Sequence, residues 1–215
     1  MRETVIQSVL SNKLIAIVRG LEEDKIIPLT RALSAGGIKM VEVTFNQADP
    51  GSFSSTTAAI RAIAREFGNE VMVGAGTVCT KGQLELAAQA GALYIITPVT
   101  NPALIREVRK LNLVAIPGAM TPSECLAAHE AGADFVKLFP LGDLGSGYLK
   151  AVRAPLSHIK FLGVGGINEN NIKEYLSAGA LGFGVGGNLV NKDWINSGQF
   201  DKIEALAKKF VEAVR

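Results

Sequence analysis

Eight short apolar runs, each followed by a stretch with helical periodicity, limit most strongly what this chain can fold into. The runs occupy residues 14–18, 40–45, 71–75, 93–97, 114–117, 135–139, 160–164 and 182–186. Apolar runs of this length, bounded by turn residues, are typical of parallel strands that are buried on both faces. Strict alternation of such strands with helices implies a parallel sheet with right-handed crossover connections.

The ends of the predicted helices agree with this alternation. Helices are predicted over residues 2–11, 24–35, 54–67, 81–90, 103–111, 122–131, 147–154, 169–178 and 199–214. Four of them end in an Ala-Gly-small sequence, at residues 35–37, 90–92, 131–133 and 178–180, where glycine supplies a left-handed C-cap. Eight strand–helix units predict an α/β fold, a (β/α)8 TIM barrel with an extra N-terminal helix, as a single domain over residues 1–215. A doubly wound open sheet is the alternative.

Composition argues against several classes of protein. Of 215 residues, 48% are hydrophobic and 20% charged, and the formal net charge is +2, which is typical of a globular protein and argues against a nucleic-acid partner. Cys79 and Cys125 lack the spacing of a disulfide framework or metal site. The Lys137 and Glu42 chemistry described below requires no metal or organic cofactor, so neither is expected. Without a signal-peptide core or an apolar window long enough to span a membrane, the sequence predicts a cytoplasmic protein with no membrane contact.

Lys137 lies in the middle of the sixth apolar run, within residues 134–140 (DFVKLFP). Burial disfavours the charged form of a lysine, so we expect its pKa to be lowered. The neutral amine is a nucleophile that can form a Schiff base with a carbonyl. The alternative is a lysine at a strand end, whose ammonium reaches water or pairs with a carboxylate.

Glu42 and Arg19 are the other charged candidates on the strands. In residues 41–46 (VEVTFN) the apolar side chains at 41, 43 and 45 face the helices, which leaves Glu42 inside the barrel. An interior carboxylate holds a charged partner or moves protons, and a structural ion pair with Lys137 is the alternative. Arg19 ends the first strand and offers a planar fork of donors for a carboxylate or phosphate, unless it is a solvent-facing loop residue.

Other candidates lie at the C-terminal ends of strands, where barrels of this kind place their reactive groups. Thr77 follows the third strand, and its hydroxyl can donate a hydrogen bond to a bound carboxylate. Pro98 and Phe139 end the fourth and sixth strands and are predicted to contact the substrate.

Two glycine pairs, Gly165-Gly166 and Gly186-Gly187, end the seventh and eighth strands, and Asn188 follows the second pair. Many barrels hold a phosphate at these two positions, against backbone N–H groups and the start of a short helix. Phosphate binding is therefore predicted here, with tight packing at the barrel rim as the alternative.

These residues form a consistent chemical set on one face of the predicted barrel. Lys137 would condense with a 2-keto acid and convert its carbonyl into a cationic imine, which accepts electrons when the bond between C3 and C4 breaks. Glu42 would shuttle the protons. The predicted partners are a small-molecule 2-keto acid and pyruvate. Rival hypotheses are a phosphate-binding barrel isomerase or synthase without an imine, and a non-catalytic oligomeric scaffold.

Five motifs resemble the class I 2-keto-3-deoxy-6-phosphogluconate aldolase family, which includes 4-hydroxy-2-oxoglutarate aldolase and a 2-keto-3-deoxy-6-phosphogalactonate branch. They are residues 15–20 (IAIVRG), 41–44 (VEVT), 73–78 (VGAGTV), 116–118 (IPG) and 136–140 (VKLFP). The resemblance covers essentially the whole chain. It implies that Lys137 is the Schiff-base residue and Glu42 the general acid/base. It also implies that Arg19 and Thr77 lie near the pyruvate carboxylate and that the protein is a cytoplasmic homotrimer.

Three positions depart from the gluconate-type pattern of that family. Asn46, Val164 and Asn188 stand where the pattern has arginine, threonine and serine. The galactonate-type branch is similar to this chain at the first two positions. It has an arginine at the end of strand one, where this chain has Arg19. The expected substrates are 2-keto-3-deoxy-6-phosphogluconate, the related phosphogalactonate or 4-hydroxy-2-oxoglutarate. A modest preference for a phosphorylated sugar acid and relaxed stereochemistry at C4 are expected.

Overall fold

Parallel strands form one continuous sheet in the computed structural model, which describes residues 1–21 and 23–215. The strands are Leu14–Val18 (β1), Met40–Thr44 (β2), Met72–Gly76 (β3), Tyr94–Ile96 (β4), Val114–Ile116 (β5), Gly118–Ala119 (β6), Val136–Leu138 (β7), Phe161–Val164 (β8) and Gly182–Val185 (β9). Their order is β5-β4-β3-β2-β1-β9-β8-β7-β6. Because β5 and β6 are two segments of one strand, interrupted at Pro117, the two ends of the sheet meet and close a barrel with eight strand positions.

Helices alternate with the strands around the barrel, which confirms the predicted (β/α)8 fold and excludes the open sheet. They are Arg2–Asn12 (α1), Glu23–Ala35 (α2), Phe53–Phe67 (α3), Lys81–Ala90 (α4), Pro102–Lys110 (α5), Pro122–Glu130 (α6), Leu141–Arg153 (α7), Ile172–Ser177 (α8), Lys192–Asn196 (α9) and Phe200–Ala213 (α10). The four predicted glycine C-caps are also confirmed, since Gly37, Gly91, Gly132 and Gly179 have φ between 94° and 103°.

Two predicted helix starts were wrong. The helix predicted over residues 147–154 begins at Leu141 and is kinked at Gly145, where φ is 81°, because glycines in its first half weaken the helical pattern. The helix predicted from residue 169 begins at Ile172. There the Asn171 side chain accepts a hydrogen bond from the Asn168 backbone N–H at 2.8 Å. Asparagine side chains that bond to nearby backbone groups favour turns over helix.

Buried apolar side chains form two layers around the strands. The outer layer lies between strands and helices, and the inner one fills the barrel. The inner layer contains Ile15, Met40, Tyr94, Ile96, Val114, Ile116, Phe135 and Leu162, together with Val5, Ile6 and Val9 of α1. Helix α1 therefore closes the N-terminal end of the barrel with its apolar face. Full burial of one such side chain contributes roughly 1.5 to 3 kcal/mol to the stability of the folded state. None of the described helices has the length and apolar character needed to cross a membrane.

A buried carboxylate ties α1 to the base of the barrel. Asp134, just before β7, accepts hydrogen bonds from the guanidinium of Arg2 and from that of Arg109 in α5, the latter at 3.1 Å. It also accepts the backbone N–H of Ala115 at 2.9 Å. Because the Asp134 side chain is 4% exposed, both arginines are needed to compensate its charge.

Candidate active site

Strand β2 directs a carboxylate into the barrel. Its neighbours Val41 and Val43 belong to the outer apolar layer, whereas Met40 belongs to the inner one, so the alternation places Glu42 and Thr44 inside. Glu42 is only 2% exposed. The sequence-based expectation of an interior Glu42 agrees with this geometry.

Strand β7 directs Lys137 into the same interior. Val136 and Leu138 pack in the outer layer, so Lys137 faces inwards and is 8% exposed. Its Nζ lies 4.9 Å from the centroid of the Phe139 ring. Among the described residues, no carboxylate oxygen lies within 4.0 Å of this ammonium, so the geometry does not show the structural ion pair with Glu42 that was the alternative.

Burial shifts the pKa values of Lys137 and Glu42 in opposite directions. Desolvation lowers the pKa of Lys137, an effect that the Glu42 charge opposes and the Arg19 charge reinforces. Desolvation raises the pKa of Glu42, while the positive charges of Lys137 and Arg19 lower it. Lys137 therefore releases its proton more easily than an exposed lysine, and Glu42 holds one more readily than an exposed glutamate. Such a pair suits nucleophilic attack coupled to proton transfer.

Two glycines of β3 make room for the interior side chains. A Cβ on Gly76 would overlap the carboxylate of Glu42, and a Cβ on Gly74 would overlap the ring of Tyr94. Both glycines therefore let side chains from β2 and β4 lie across β3.

Thr77 follows these glycines in a strained backbone conformation. Its φ is 54°, a left-handed value that a β-branched residue rarely adopts. Gln47 donates a hydrogen bond to the Thr77 carbonyl at 2.6 Å and accepts one from Gln83 at 3.0 Å. The Gln83 side chain also accepts the Cys79 backbone N–H at 2.7 Å. The side chains of Gln47, in the loop after β2, and of Gln83, in α4, thus hold the Thr77 backbone in place.

A pocket of about 590 Å³ opens at the C-terminal ends of β1, β8 and β9. It brings together seven of the predicted residues: Arg19, Phe139, Gly165, Gly166, Gly186, Gly187 and Asn188. Lys137, Glu42, Thr77 and Pro98 are not among its lining residues. Lys137 is nevertheless connected to the pocket through Phe139, because the Phe139 ring lines the pocket and contacts the Lys137 ammonium. Pro98, half-buried at the end of β4, packs against Gly118 instead.

The two glycine loops are fixed to each other and to α7. Gly165 and Gly166 have φ of 91° and 70°, which only glycine adopts readily. The Gly165 carbonyl accepts the Gly142 backbone N–H at 2.8 Å. The Asn188 side-chain amide donates to the Ile167 carbonyl at 2.8 Å and thereby joins the β8 and β9 loops. One of the two amide hydrogens of Asn188 is therefore already engaged.

The sequence pattern did not indicate Lys192 as a cation at this pocket. Lys192, in the first turn of α9, lines the pocket together with Arg19. Its Nζ reaches the end of β1, 3.7 Å from the place where a Cβ on Gly20 would lie. A lysine after a loop is ordinary in sequence, and α9 itself was not predicted. Only the pairing of β1 with β9 brings Lys192 beside Arg19.

The departures from the gluconate-type pattern also have structural consequences. Asn46 accepts the Ala48 backbone N–H at 3.1 Å and so caps its own turn. Val164 is buried and lines the pocket with two methyl groups where a hydroxyl would be a donor. Asn46 does not line the pocket and Val164 has no donor there. The donors of this pocket are therefore Arg19, Lys192, the side-chain amides of Asn188 and Asn191, and backbone N–H groups.

A parallel (β/α)8 barrel with a lysine and a glutamate in its interior, beneath a cationic pocket at the C-terminal face, defines the class of imine-forming barrel aldolases. The chain belongs to the KDPG and KHG aldolase family, whose family model matches residues 5–206. It is accordingly an aldolase, a carbon–carbon lyase.

Relatives of several substrate types have comparable identity to this chain. A probable 2-dehydro-3-deoxy-6-phosphogalactonate aldolase of Rhizobium meliloti is 36% identical over 177 residues, covering 82% of this chain and 81% of the relative. A KHG/KDPG aldolase of Escherichia coli is 34% identical over 203 residues, covering 94% and 91%. A KDPG aldolase structure from Legionella pneumophila, with pyruvate captured as a covalent carbinolamine, superposes with a TM-score of 0.85 at 30% identity, covering 94% and 96%.

Proposed function

We propose that this protein reversibly cleaves a 2-keto-3-deoxy-6-phospho sugar acid, of the gluconate or galactonate type, or 4-hydroxy-2-oxoglutarate, through an imine on Lys137. The products are pyruvate and an aldehyde, such as glyceraldehyde 3-phosphate or glyoxylate. The observation that carries the proposal is a buried Lys137 with a lowered pKa that shares the barrel interior with Glu42. Relatives named for both phosphosugar types and for KHG support this range of substrates.

The reaction begins when the Lys137 amine attacks the C2 carbonyl. Protonated Glu42 donates its proton to the carbinolamine hydroxyl, which leaves as water, so that a cationic imine and the Glu42 carboxylate remain. The bond between C3 and C4 then breaks, its electron pair moves toward the imine nitrogen, and the proton of the C4 hydroxyl passes to Glu42 as the aldehyde leaves. Glu42 returns a proton to C3 of the enamine. Hydrolysis of the resulting pyruvyl imine releases pyruvate and regenerates Lys137.

Arg19 and Thr77 are proposed to bind the carboxylate of the 2-keto acid. The charge of Arg19 acts on both Lys137 and Glu42, which supports its position close to the reacting atoms. Thr77 is held at the C-terminal end of β3 in a conformation that is strained for its residue type. A guanidinium fork and a hydroxyl provide donors of fixed direction for a carboxylate. Pro98 and Phe139 are proposed as further substrate contacts.

The glycine loops and Lys192 are proposed to bind the far end of the substrate. The pocket is lined by backbone groups of the two glycine pairs, Gly165-Gly166 and Gly186-Gly187. Lys192 adds a positive charge to this pocket, whereas Val164 has no hydroxyl to donate. A dianionic phosphate gains more from this cation than a carboxylate with one charge does. A modest preference for the phosphorylated sugar acids over 4-hydroxy-2-oxoglutarate, with relaxed stereochemistry at C4, follows from this balance.

Release of pyruvate from a substrate panel tests the proposed function. The panel contains both phosphosugar acids, their unphosphorylated forms and 4-hydroxy-2-oxoglutarate, and kcat/KM is compared between the wild type, Lys137→Met and Lys160→Met. Lys160 is a matched control because its ammonium also lies near a phenylalanine ring, that of Phe135, but it precedes β8 and is exposed. We expect cleavage to vanish only in Lys137→Met. Retention of cleavage in that variant would refute the imine, and faster cleavage of the unphosphorylated compounds would refute the phosphate site.

A homotrimer in the cytoplasm is proposed as the setting of this activity. Val99, Met120 and Leu126 are exposed apolar side chains on consecutive elements of the barrel, between 38% and 54% exposed, which supports burial against another subunit. The barrel is also similar to a domain of a cage designed by fusing symmetric oligomeric domains, at 32% identity and a TM-score of 0.85, covering 94% of this chain and 72% of that one. Light scattering coupled to size-exclusion chromatography measures the assembly mass, and a monomer at micromolar concentration would contradict the trimer.

A further inference from the structure

Three polar atoms inside the barrel are buried without a hydrogen-bond partner among the described residues. They are Oε2 of Glu42, Oγ1 of Thr44 and the hydroxyl oxygen of Tyr94. Tyr94 is fully buried, with 0% of its surface exposed. A buried polar atom without a partner destabilises the folded state, so three such atoms on neighbouring strands indicate a shared partner.

Strand register places the three residues on neighbouring strands, on either side of Gly74 and Gly76. Glu42 pairs with Gly74 across β2 and β3, and Thr44 pairs with Gly76. The pairing of Ala75 with Ile95 sets Tyr94 of β4 beside Gly74 on the other edge of β3. Because neither glycine has a side chain, the Glu42 carboxylate and the Tyr94 ring lie across β3 from opposite sides.

We propose that one internal water molecule bridges the Tyr94 hydroxyl, the Thr44 hydroxyl and the Glu42 carboxylate. Three polar partners match the number that a buried water in a protein interior typically has. Through this water, Tyr94 is a positioning residue that holds the Glu42 carboxylate across β3. The inference deepens the proposed function, because it concerns the group that moves the protons.

The electrostatics around Glu42 set the direction of the effect. The charged groups that act on it are Lys137 from β7 and Arg19 from the end of β1, and Tyr94 faces it from β4. Burial and the Glu42 charge raise the pKa of Tyr94 well above its ordinary value, so Tyr94 remains a neutral donor. A hydrogen bond delivered to a carboxylate favours its charged form. Loss of the bridge should therefore raise the pKa of Glu42 further.

Tyr94→Phe tests the bridge because it removes one oxygen atom and leaves the ring in place. The readout is the pH profile of proton exchange at the methyl carbon of pyruvate in deuterated water, followed by NMR. We expect the acidic limb of the profile to move to higher pH by about half a unit to one unit. Thr44→Val should move it in the same direction by a smaller amount. Tyr175→Phe, on the outer helix α8, is the control and should leave the profile unchanged.

Borohydride trapping of pyruvate separates failure of this inference from failure of the proposed function. If wild type and Tyr94→Phe both form the adduct but their pH profiles coincide, the bridge is refuted while the imine stands. If the wild type forms no adduct, the proposed function itself fails. High-resolution crystallography provides a direct check, since direct contact between Tyr94 and Glu42, or apolar space between them, would also overturn the bridge.

Discussion

Two charged side chains in an apolar interior mark the active site at the residue scale. Lys137 and Glu42 both interrupt apolar strands, and that irregularity could be recognised from sequence because burial of an unneeded charge is selected against. Tyr94 could not be recognised in this way. A tyrosine in an apolar run resembles a core residue, and only the structure shows that its hydroxyl has no hydrogen-bond partner within residues 1–21 and 23–215.

Glu42→Gln separates proton transfer from imine formation. The amide keeps the shape of the carboxylate but cannot carry a proton, so we expect kcat for retro-aldol cleavage to fall by on the order of 100-fold or more. Proton exchange at the methyl carbon of pyruvate, measured in deuterated water, should fall with it. Exchange at the wild-type rate would assign the acid/base role to another group.

Arg19→Lys tests the carboxylate site. Lysine keeps the positive charge but loses the planar fork, so KM for the 2-keto acid should rise by about 10-fold while kcat changes less. Steady-state kinetics with the preferred substrate measures both constants. Arg31→Lys is the control, because Arg31 forms an exposed pair with Glu66 on the outer helices. An unchanged KM in Arg19→Lys would mean that Thr77 and backbone groups bind the carboxylate.

At the scale of elements, β3 shows how two glycines in a strand make room for side chains of the neighbouring strands. Repeating strand and helix patterns predicted nearly every element, because periodicity and glycine caps are local signals. The short α9 was missed because it contains too few residues for a periodic pattern, and the first half of α7 was missed because its glycines weaken the helical pattern. Because α9 was not predicted, Lys192 was also missed. Its place beside Arg19 depends on closure of the barrel.

Gly76→Ala tests the role of β3. The added methyl group would overlap the Glu42 carboxylate, so we expect kcat to fall by on the order of 100-fold and stability to fall by about 1 to 3 kcal/mol. Gly82→Ala in α4 is the matched control. A Cβ there meets no atom closer than 4.0 Å, and alanine favours helix. Wild-type turnover in Gly76→Ala would show that Glu42 does not require its present position.

Across the whole molecule, stability and chemistry are concentrated at opposite ends of the barrel. Helix α1 and the Asp134 network close the N-terminal end, and the lysine, glutamate and cationic pocket lie toward the C-terminal end. Sequence predicted the closed barrel and the extra helix. It could not show that α1 closes the base, because contacts between Asp134, Arg2 and Arg109 join residues far apart in the chain.

Asp134→Ala tests this division. Removing the carboxylate leaves the Ala115 N–H and two partly exposed arginines without their partner, so we expect the free energy of unfolding in urea to fall by about 1 to 3 kcal/mol. Glu66→Ala, which breaks the exposed pair with Arg31, should cost less than about 1 kcal/mol. Specific activity of the folded fraction should be unchanged in both variants. Loss of kcat in folded Asp134→Ala would show that the two ends are coupled.

Formation of the imine on Lys137 is the central claim, and borohydride reduction in the presence of pyruvate measures it most directly. Intact mass spectrometry should show one adduct per chain, equal in mass to pyruvic acid less one oxygen atom, and peptide mapping should place it on Lys137. Lys137→Met should gain no adduct, whereas Lys160→Met should react like the wild type. An unmodified wild-type chain, or an adduct on another lysine, would contradict the account.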